Sequence, residues 1–148
     1  MNSLTYSQSG PELTEAFESC ELVAYNDAGK GILTIGYGHT GPDVVPGLVW
    51  TKEQAVTALM NDIVWAEKIV NHFVVPTLEQ HQFDALVDFT FNDGAGNFEN
   101  STLLRLVNAG NMAAADHEFA KWIHAGGKVL SGLVRRRAAE AALFNSAS

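Results

Sequence analysis

The sequence predicts an α+β fold, a small antiparallel sheet close to the N-terminus followed by a helical remainder. Three observations carry that reading. The stretch LVAYNDAGKGILTIGYGHTG, residues 22–41, mixes β-forming residues with glycines and an Asn-Asp turn signal. From residue 51 onward apolar residues recur at helical spacing instead, at Val56, Leu59, Ile63, Ala66, Val70 and Phe73. No repeat, low-complexity tract or Pro/Gly/Ser-rich linker separates the two patterns, so one domain is expected over residues 1–148.

Taken in order, Ser9-Gly10-Pro11-Glu12 reads as a helix start. Ser9 and Glu12 form a capping box, and Pro11 has no N–H to leave unsatisfied in the first turn. This short helix runs to about Ser19 with Leu13, Ala16 and Phe17 inward, and the sheet follows it. Thr51 and Gln54 form a second box, opening a helix predicted over residues 52–73. Pro76-Thr77 ends that helix. Thr77 with Gln80 opens the next, LEQHQFDALVDFTFND, which Gly94 and Gly96 close. Further helices are predicted over residues 101–108, 112–123 and 131–144. The expected organisation is a sheet-containing N-terminal lobe over about 1–50, a connecting helix over 51–73, and a helical lobe over 74–148. A cleft between such parts is a natural ligand site.

Composition narrows the function. The chain has 47% hydrophobic and 18% charged residues, a globular profile, and 148 residues suffice for a sizeable core. A net charge of -8 argues against nucleic-acid binding. The single Cys20 excludes an internal disulfide framework and points to folding in a reducing cytosol. The N-terminal sequence has neither a basic start nor an apolar core, so no secretory signal is expected. The longest apolar runs, such as Phe73-Val74-Val75, are too short for a membrane segment. Five scattered histidines without a His-Glu-x-x-His pattern give no metal site, and no cofactor is implied.

The candidates for chemistry cluster between Glu18 and His39. Glu18 lies at the end of the first helix beside Phe17, and a carboxyl in partly apolar surroundings keeps its proton more readily, as a general acid must. Asp27 lies in a polar turn that favours the ionised form. Two carboxyls in contrasting environments are the machinery of glycoside hydrolysis. On spacing alone, a surface helix residue and an Asx-turn former are the better explanation of the two, since Asx turns are common. Thr34 is a strand residue whose hydroxyl can donate and accept without adding charge. Gly36 and Gly38 allow either a close backbone approach or sheet curvature.

The segment FESCELVAYNDAGKGILTIGYGHTG resembles the phage-type lysozyme family (glycoside hydrolase family 24). Eight residues separate Glu18 from Asp27, and Thr34 precedes Gly36-Tyr37-Gly38-His39. Later blocks match in order: QFDALV leading into Phe91-Asn92-Asp93-Gly94, then STLL from Ser101, Trp122 with Gly126-Gly127, and GLVRRR with Glu140. The resemblance implies a lysozyme-like fold and an endolysin, a muramidase that hydrolyses the β-1,4 bond between N-acetylmuramic acid and N-acetylglucosamine in peptidoglycan. It implies Glu18 as general acid, with Asp27 and Thr34 positioning a water. Tyr37, Phe91, Asn92 and Ser101 are candidates for sugar contacts, although Phe91 fits the core equally well. His39 is read as a support rather than a ligand, and Arg135 as the arginine that pairs with Glu18. Six residues, Ala28 to Leu33, separate Asp27 from Thr34 where the family usually has five, and the extra one falls in the Gly29-Lys30-Gly31 turn.

The implied partner is the glycan strand of peptidoglycan, acted on by a monomer made in the host cytoplasm and released to the periplasm and wall, with a holin as the release partner. A lytic transglycosylase would need one catalytic Glu and no water, so Asp27 and Thr34 favour the hydrolase. A catalytically inactive wall-binding module could dispense with both carboxyls. Because the chain is acidic, a local positive surface is expected around Lys121, Lys128 and Arg135–Arg137.

Overall fold

A computed structural model of the chain describes residues 2–27 and 31–146, which divide into two compact units. One comprises residues 14–64. The other joins residues up to 13 with those from 65 onward. The division falls inside the helix predicted over 52–73, because that helix is two: α2 (Lys52–Asp62) and α3 (Val64–Phe73) meet at Ile63. There the amide of Ile63 makes the last rung of α2 with Leu59 O and also reaches Asn61 O, where the helix is capped.

The 14–64 unit is built on a hairpin. Helix α1 (Ser9–Phe17) leads into β1 (Glu21–Asp27), which pairs antiparallel with β2 (Ile32–Gly36). Asp27 lies opposite Ile32 and Tyr25 opposite Thr34, but the register shifts between Tyr25 and Glu21. The cause is a second partner. Residues 22–24 bond to residues 48–50, with Ala24 N donating to Leu48 O at 2.9 Å and Trp50 N to Leu22 O at 2.8 Å. Beyond β2 the chain reverses within three residues, and Ile35 and His39 exchange both backbone hydrogen bonds. Gly36 and Gly38 take φ of 65° and 79°, a region that side chains avoid. Gly36 also meets the close-approach reading, since a Cβ there would lie 3.0 Å from Trp50 Cζ3. Thr51 caps α2 through the expected box: its Oγ1 accepts from Gln54 N at 3.2 Å, and Gln54 Oε1 accepts from Thr51 N at 2.8 Å.

The other unit is built around α4 (Gln80–Asp93), whose residues 83–90 are all buried. The short elements α5 (Ala95–Glu99), α6 (Thr102–Asn108), α7 (Met112–Glu118) and a 3-10 turn at Phe119–Lys121 follow it, and then α8 (Ser131–Phe144), which is as long as α4. Phe89 is the hub of the core, with ring centroids 6.3 Å from Phe98, 5.8 Å from Phe119 and 5.4 Å from Trp122. Each such edge-on pair adds about 0.5–1.5 kcal/mol beyond area burial. The N-terminal residues are stitched on by side-chain amides: Asn2 Nδ2 donates to Val74 O and Pro76 O, and Asn71 exchanges two bonds with Leu4.

Several boundaries differ from expectation. α1 begins at Ser9 itself, with Glu12 N donating to Gln8 O, so Ser9 is inside the helix rather than its cap. The box that opens α4 is Glu79 with Gln82, not Thr77 with Gln80. Gly94 does end α4, but α5 follows at once. The helix predicted over 112–123 ends early, and the chain continues as a small hairpin, β3 (His124–Ala125) with β4 (Lys128–Val129). Gly126 and Gly127 both take positive φ, as the tightest hairpin turns require.

Charges lie inside the core as well. Asp88 on α4 accepts two parallel bonds from Arg136 on α8, each 2.9 Å. Arg137 Nη1 bonds Asp93, while its Nη2 donates to Asn92 Oδ1 at 2.7 Å and to Glu140 Oε2 at 3.0 Å. Arg137, Asp88 and Glu140 are each 0% exposed. Burial, then the adjacent Asp88 carboxylate, push the Glu140 carboxyl well above its usual range, against the opposing pull of Arg137 and Arg136. Burial likewise raises Asp93, with Arg137 opposing. Removing one member strands the others: Arg137→Met is expected to lower unfolding free energy by roughly 3–5 kcal/mol in denaturant titrations. Adding Glu140→Gln should recover part of that loss, and a single-variant cost under about 1 kcal/mol would contradict the network's role.

Candidate functional site

Three of the residues singled out for chemistry belong to the 14–64 unit. Glu18 is the first residue after α1; its amide donates to Thr14 O at 3.0 Å, so the helix's last turn fixes the backbone from which the half-buried carboxyl projects. Asp27 ends β1 and is half-buried. Its carbonyl accepts from Gly31 N at 2.7 Å, which closes the turn toward β2. The rest of that turn, where the additional residue was placed, lies outside the described residues.

Cross-strand pairing places Asp27 and Thr34 together. Residues directly opposite in an antiparallel pair share a face, and so do residues two apart on one strand. With Asp27 opposite Ile32 and Tyr25 opposite Thr34, all four side chains belong to one face, and Asp27 and Thr34 are diagonal neighbours. Diagonal Cα positions stand about 7–8 Å apart, which leaves a gap for a small molecule between a carboxylate and a hydroxyl. Thr34 is buried, 4% exposed, and its Oγ1 donates to Ile32 O at 3.0 Å. The donor is thereby used, so toward a third group this hydroxyl is an acceptor.

His39 is held between two carboxylates. Its Nδ1 lies 2.7 Å from Asp62 at the end of α2, and its Nε2 lies 3.0 Å from Asp43 four residues on. The ring also lies 5.3 Å from Trp50. Burial lowers its pKa, but the hydrogen bonds to Asp62 and Asp43 outweigh burial, and the net shift is upward. The exposed Asp43 is shifted down by the same contact with His39. Tyr37 is 5% exposed, donates its hydroxyl to Glu15 Oε1 at 3.0 Å, and carries Lys52 Nζ 4.8 Å above its ring. Burial, then the acidity of Glu15, raise the phenol's pKa against the opposing Lys52.

The remaining candidates lie in the other unit. Phe91 is half-buried, with its ring 6.2 Å from that of Trp65, which is 41% exposed. Asn92 is half-buried, and the atom facing Arg137 must be its amide oxygen, because a guanidinium only donates. Ser101 is the cap of α6: its Oγ accepts from Leu104 N at 3.0 Å and donates to Phe98 O at 2.7 Å.

Comparison with known proteins places this geometry. The profile described as phage lysozyme matches residues 15–140. The chain belongs to the phage lysozyme family. It is 46% identical to the endolysin of Bacillus phage PZA over 95% of its own length, and it spans about half of that relative, 55%. It is 36% identical to the SAR-endolysin of Bacteriophage PS119, over 88% of this chain and 78% of that one. Among solved structures, a P22 lysozyme mutant L86M matches with a TM-score of 0.90 and 38% identity, covering 97% of this chain and 100% of the other. The muramidase domain of SpmX from Asticaccaulis excentricus matches with a TM-score of 0.89 and 37% identity over 98% of this chain and 100% of the other. The lysozyme-like α+β fold expected from the sequence is therefore the fold of this phage lysozyme family member.

Some expected site residues have other work to do. Tyr37 is packed inside its unit with its hydroxyl committed to Glu15, so it offers no ready group to a sugar. Ser101 spends both its donor and its acceptor capacity on helix capping. Arg135 is exposed and makes no ion pair among the described residues. The helical rotation of α8 turns Arg136, Arg137 and Glu140 inward instead. That inward turn also removes two of the cations expected to form a positive surface, and Lys121 is paired with Glu118 at 2.6 Å. Asp43, Asp62 and Trp50 around His39 were missed in the sequence, although the i, i+4 spacing of His39 and Asp43 was a usable signal. Among the described residues no group of three or more His, Cys, Asp or Glu side chains is placed to hold a metal, and no helix is long and apolar enough to cross a membrane.

Two outcomes follow for this member of the phage lysozyme family. A histidine whose folded pKa is raised contributes stability that is full below about pH 6.5 and is lost as pH rises through the folded value. The thermal midpoint gap between the parent and His39→Gln is therefore expected to be wide near about pH 6 and to narrow toward about pH 9; a constant gap would count against the pairing. Ser101→Ala should cost about 1 kcal/mol in denaturant titrations by loss of the cap of α6.

Proposed function

We propose that the chain is a lysozyme-type glycosidase that cleaves peptidoglycan by hydrolysing the β-1,4 bond between N-acetylmuramic acid and N-acetylglucosamine, and so lyses a phage host. The observation that carries the reading is the hairpin pairing that gives Asp27 and Thr34 a common face, in a chain with Glu18 at the matching motif position. Glu18 donates a proton to the glycosidic oxygen as the bond to the anomeric carbon breaks, and the leaving sugar departs as an alcohol. A water held between Asp27 and Thr34 adds to that carbon from the opposite face. Asp27 takes the water's proton, and Thr34, its own hydrogen committed to Ile32 O, accepts the second hydrogen and so fixes the direction of the lone pair.

This assignment makes the reaction inverting, the mode in which the carboxyls stand roughly 6.5–9.5 Å apart to admit a water. Phe91 offers ring surface to a sugar, and Asn92 offers its Nδ2 hydrogens, because its oxygen is taken by Arg137. A fixed donor suits an acetamido oxygen or a hydroxyl.

The test is turbidity loss on outer-membrane-permeabilised Gram-negative cells, run beside Glu18→Gln and Asp27→Asn. Each variant is expected to lose at least about 10²-fold in rate, the scale of a positioned acid or base. Thr34→Ser should retain more activity than Thr34→Val. Undiminished lysis by Glu18→Gln would overturn the mechanism. Anhydromuramoyl ends in the mass spectrum of the digest would replace hydrolysis with transglycosylation.

A further inference from the structure

A groove of about 530 Å³ lies along α2 and is lined by Trp50, Glu53, Gln54, Thr57, Ala58 and Asn61, with Thr51 at its end. None of Glu18, Asp27 or Thr34 lines it. Its volume is within the range of ligand pockets, about 300–1,000 Å³, which accommodates a few sugar rings. Glu53, Thr57 and Asn61 follow one another at i, i+4 and i+8 and form a single row on the helix surface. All three are exposed, and none makes a side-chain hydrogen bond among the described residues. Thr51 and Gln54, by contrast, are occupied with each other in the capping box.

The aromatic wall is fixed before any ligand arrives. Trp50 is half-buried, its amide donates to Leu22 O, its ring is beside His39, and Gly36 is bare of a side chain where the ring edge passes. Preorganisation of that kind lowers the entropy cost of binding. A flat indole beside a carboxylate, a hydroxyl and an amide matches a pyranose, whose C–H face packs on an aromatic ring and whose hydroxyls both donate and accept. A cationic peptide would find only one carboxylate here.

We propose that this groove is a second, non-catalytic binding site for a neutral N-acetylated glycan. The choice of ligand rests on the glycan-cleaving reading above. A chain with a net charge of -8 gains little from long-range attraction to an anionic wall, so short-range neutral contacts are the means by which it would stay on a glycan strand. A weak second site raises retention through effective concentration even when its own affinity is poor.

The test uses the full chain carrying Glu18→Gln, labelled with ¹⁵N and titrated with the tetrasaccharide of N-acetylglucosamine, so that binding is read without turnover. The Trp50 Nε1–H and Asn61 Nδ2 resonances are expected to shift along one saturating curve with Kd on the order of 1 mM. Thr57→Ala with Asn61→Ala, both on an exposed helix face, should weaken that curve about tenfold while the circular dichroism spectrum is unchanged. Absence of shifts at Trp50 and Asn61, a curve indifferent to the double variant, or shifts produced only by a lysine tripeptide would each overturn the proposal. Saccharide shifts in the groove alongside an active Glu18→Gln enzyme would defeat the mechanism above and leave this site standing.

Discussion

The register between β1 and β2 is the constraint on which the candidate site depends. Side chains alternate across a strand, so a slip of one residue would send Thr34 to the face opposite Asp27. The register is held from several directions. Residues 22–24 are bonded to 48–50, the Ile35–His39 reversal closes β2, and the carbonyl of Asp27 is tied to Gly31. His39 then fastens the reversal to the end of α2 through Asp62, which anchors the hairpin to the helix that packs beneath it. The two polar groups share one face where pairing, capping and a charged clamp agree.

The helical unit solves a different problem. Its central helix buries Asp84 and Asp88 among Phe83, Ala85, Leu86, Val87 and Phe89, a pattern that costs several kcal/mol per carboxylate unless each finds partners. Asp84 is satisfied by Ser7 and Gln80 across the N-terminal segment, and Asp88 by a two-pronged bond from Arg136. Only one rotation of α8 against α4 satisfies Asp88, Asp93 and Asn92 together. The apolar cluster around Phe89 supplies driving force, and the charges select which packing is adopted.

Much of this was legible in the sequence, and the failures share a cause. The sheet, the capping box at Thr51 and the helices from 80 and 131 were marked by strong local signals, namely glycine-bearing turns, side-chain caps and long apolar periodicity. The break at Ile63 was not, because residues on both sides keep the same apolar spacing and only backbone hydrogen bonding changes. The hairpin at 124–129 has two-residue strands, too short for alternation to register. At the site, Glu18, Asp27 and Thr34 stood out as a motif. The hydrogen bonds that occupy Tyr37 and Ser101 were not legible, because a phenol or hydroxyl in a motif carries no mark of its partners. Arg135 was preferred to its neighbours because three consecutive arginines differ only in the direction each one points, and that direction is set by α8 meeting α4.

Counted alone, the cluster on α8 and α4 holds three carboxylates against two guanidiniums, Asp88, Asp93 and Glu140 with Arg136 and Arg137. With burial raising Glu140, there is a pH interval above the usual carboxyl range in which the native core retains a proton that the unfolded chain has given up. Heat absorbed on unfolding will then include the buffer's own enthalpy of protonation. Calorimetric enthalpies collected within that interval, in two buffers of different protonation enthalpy, would differ even though the same packing is being lost.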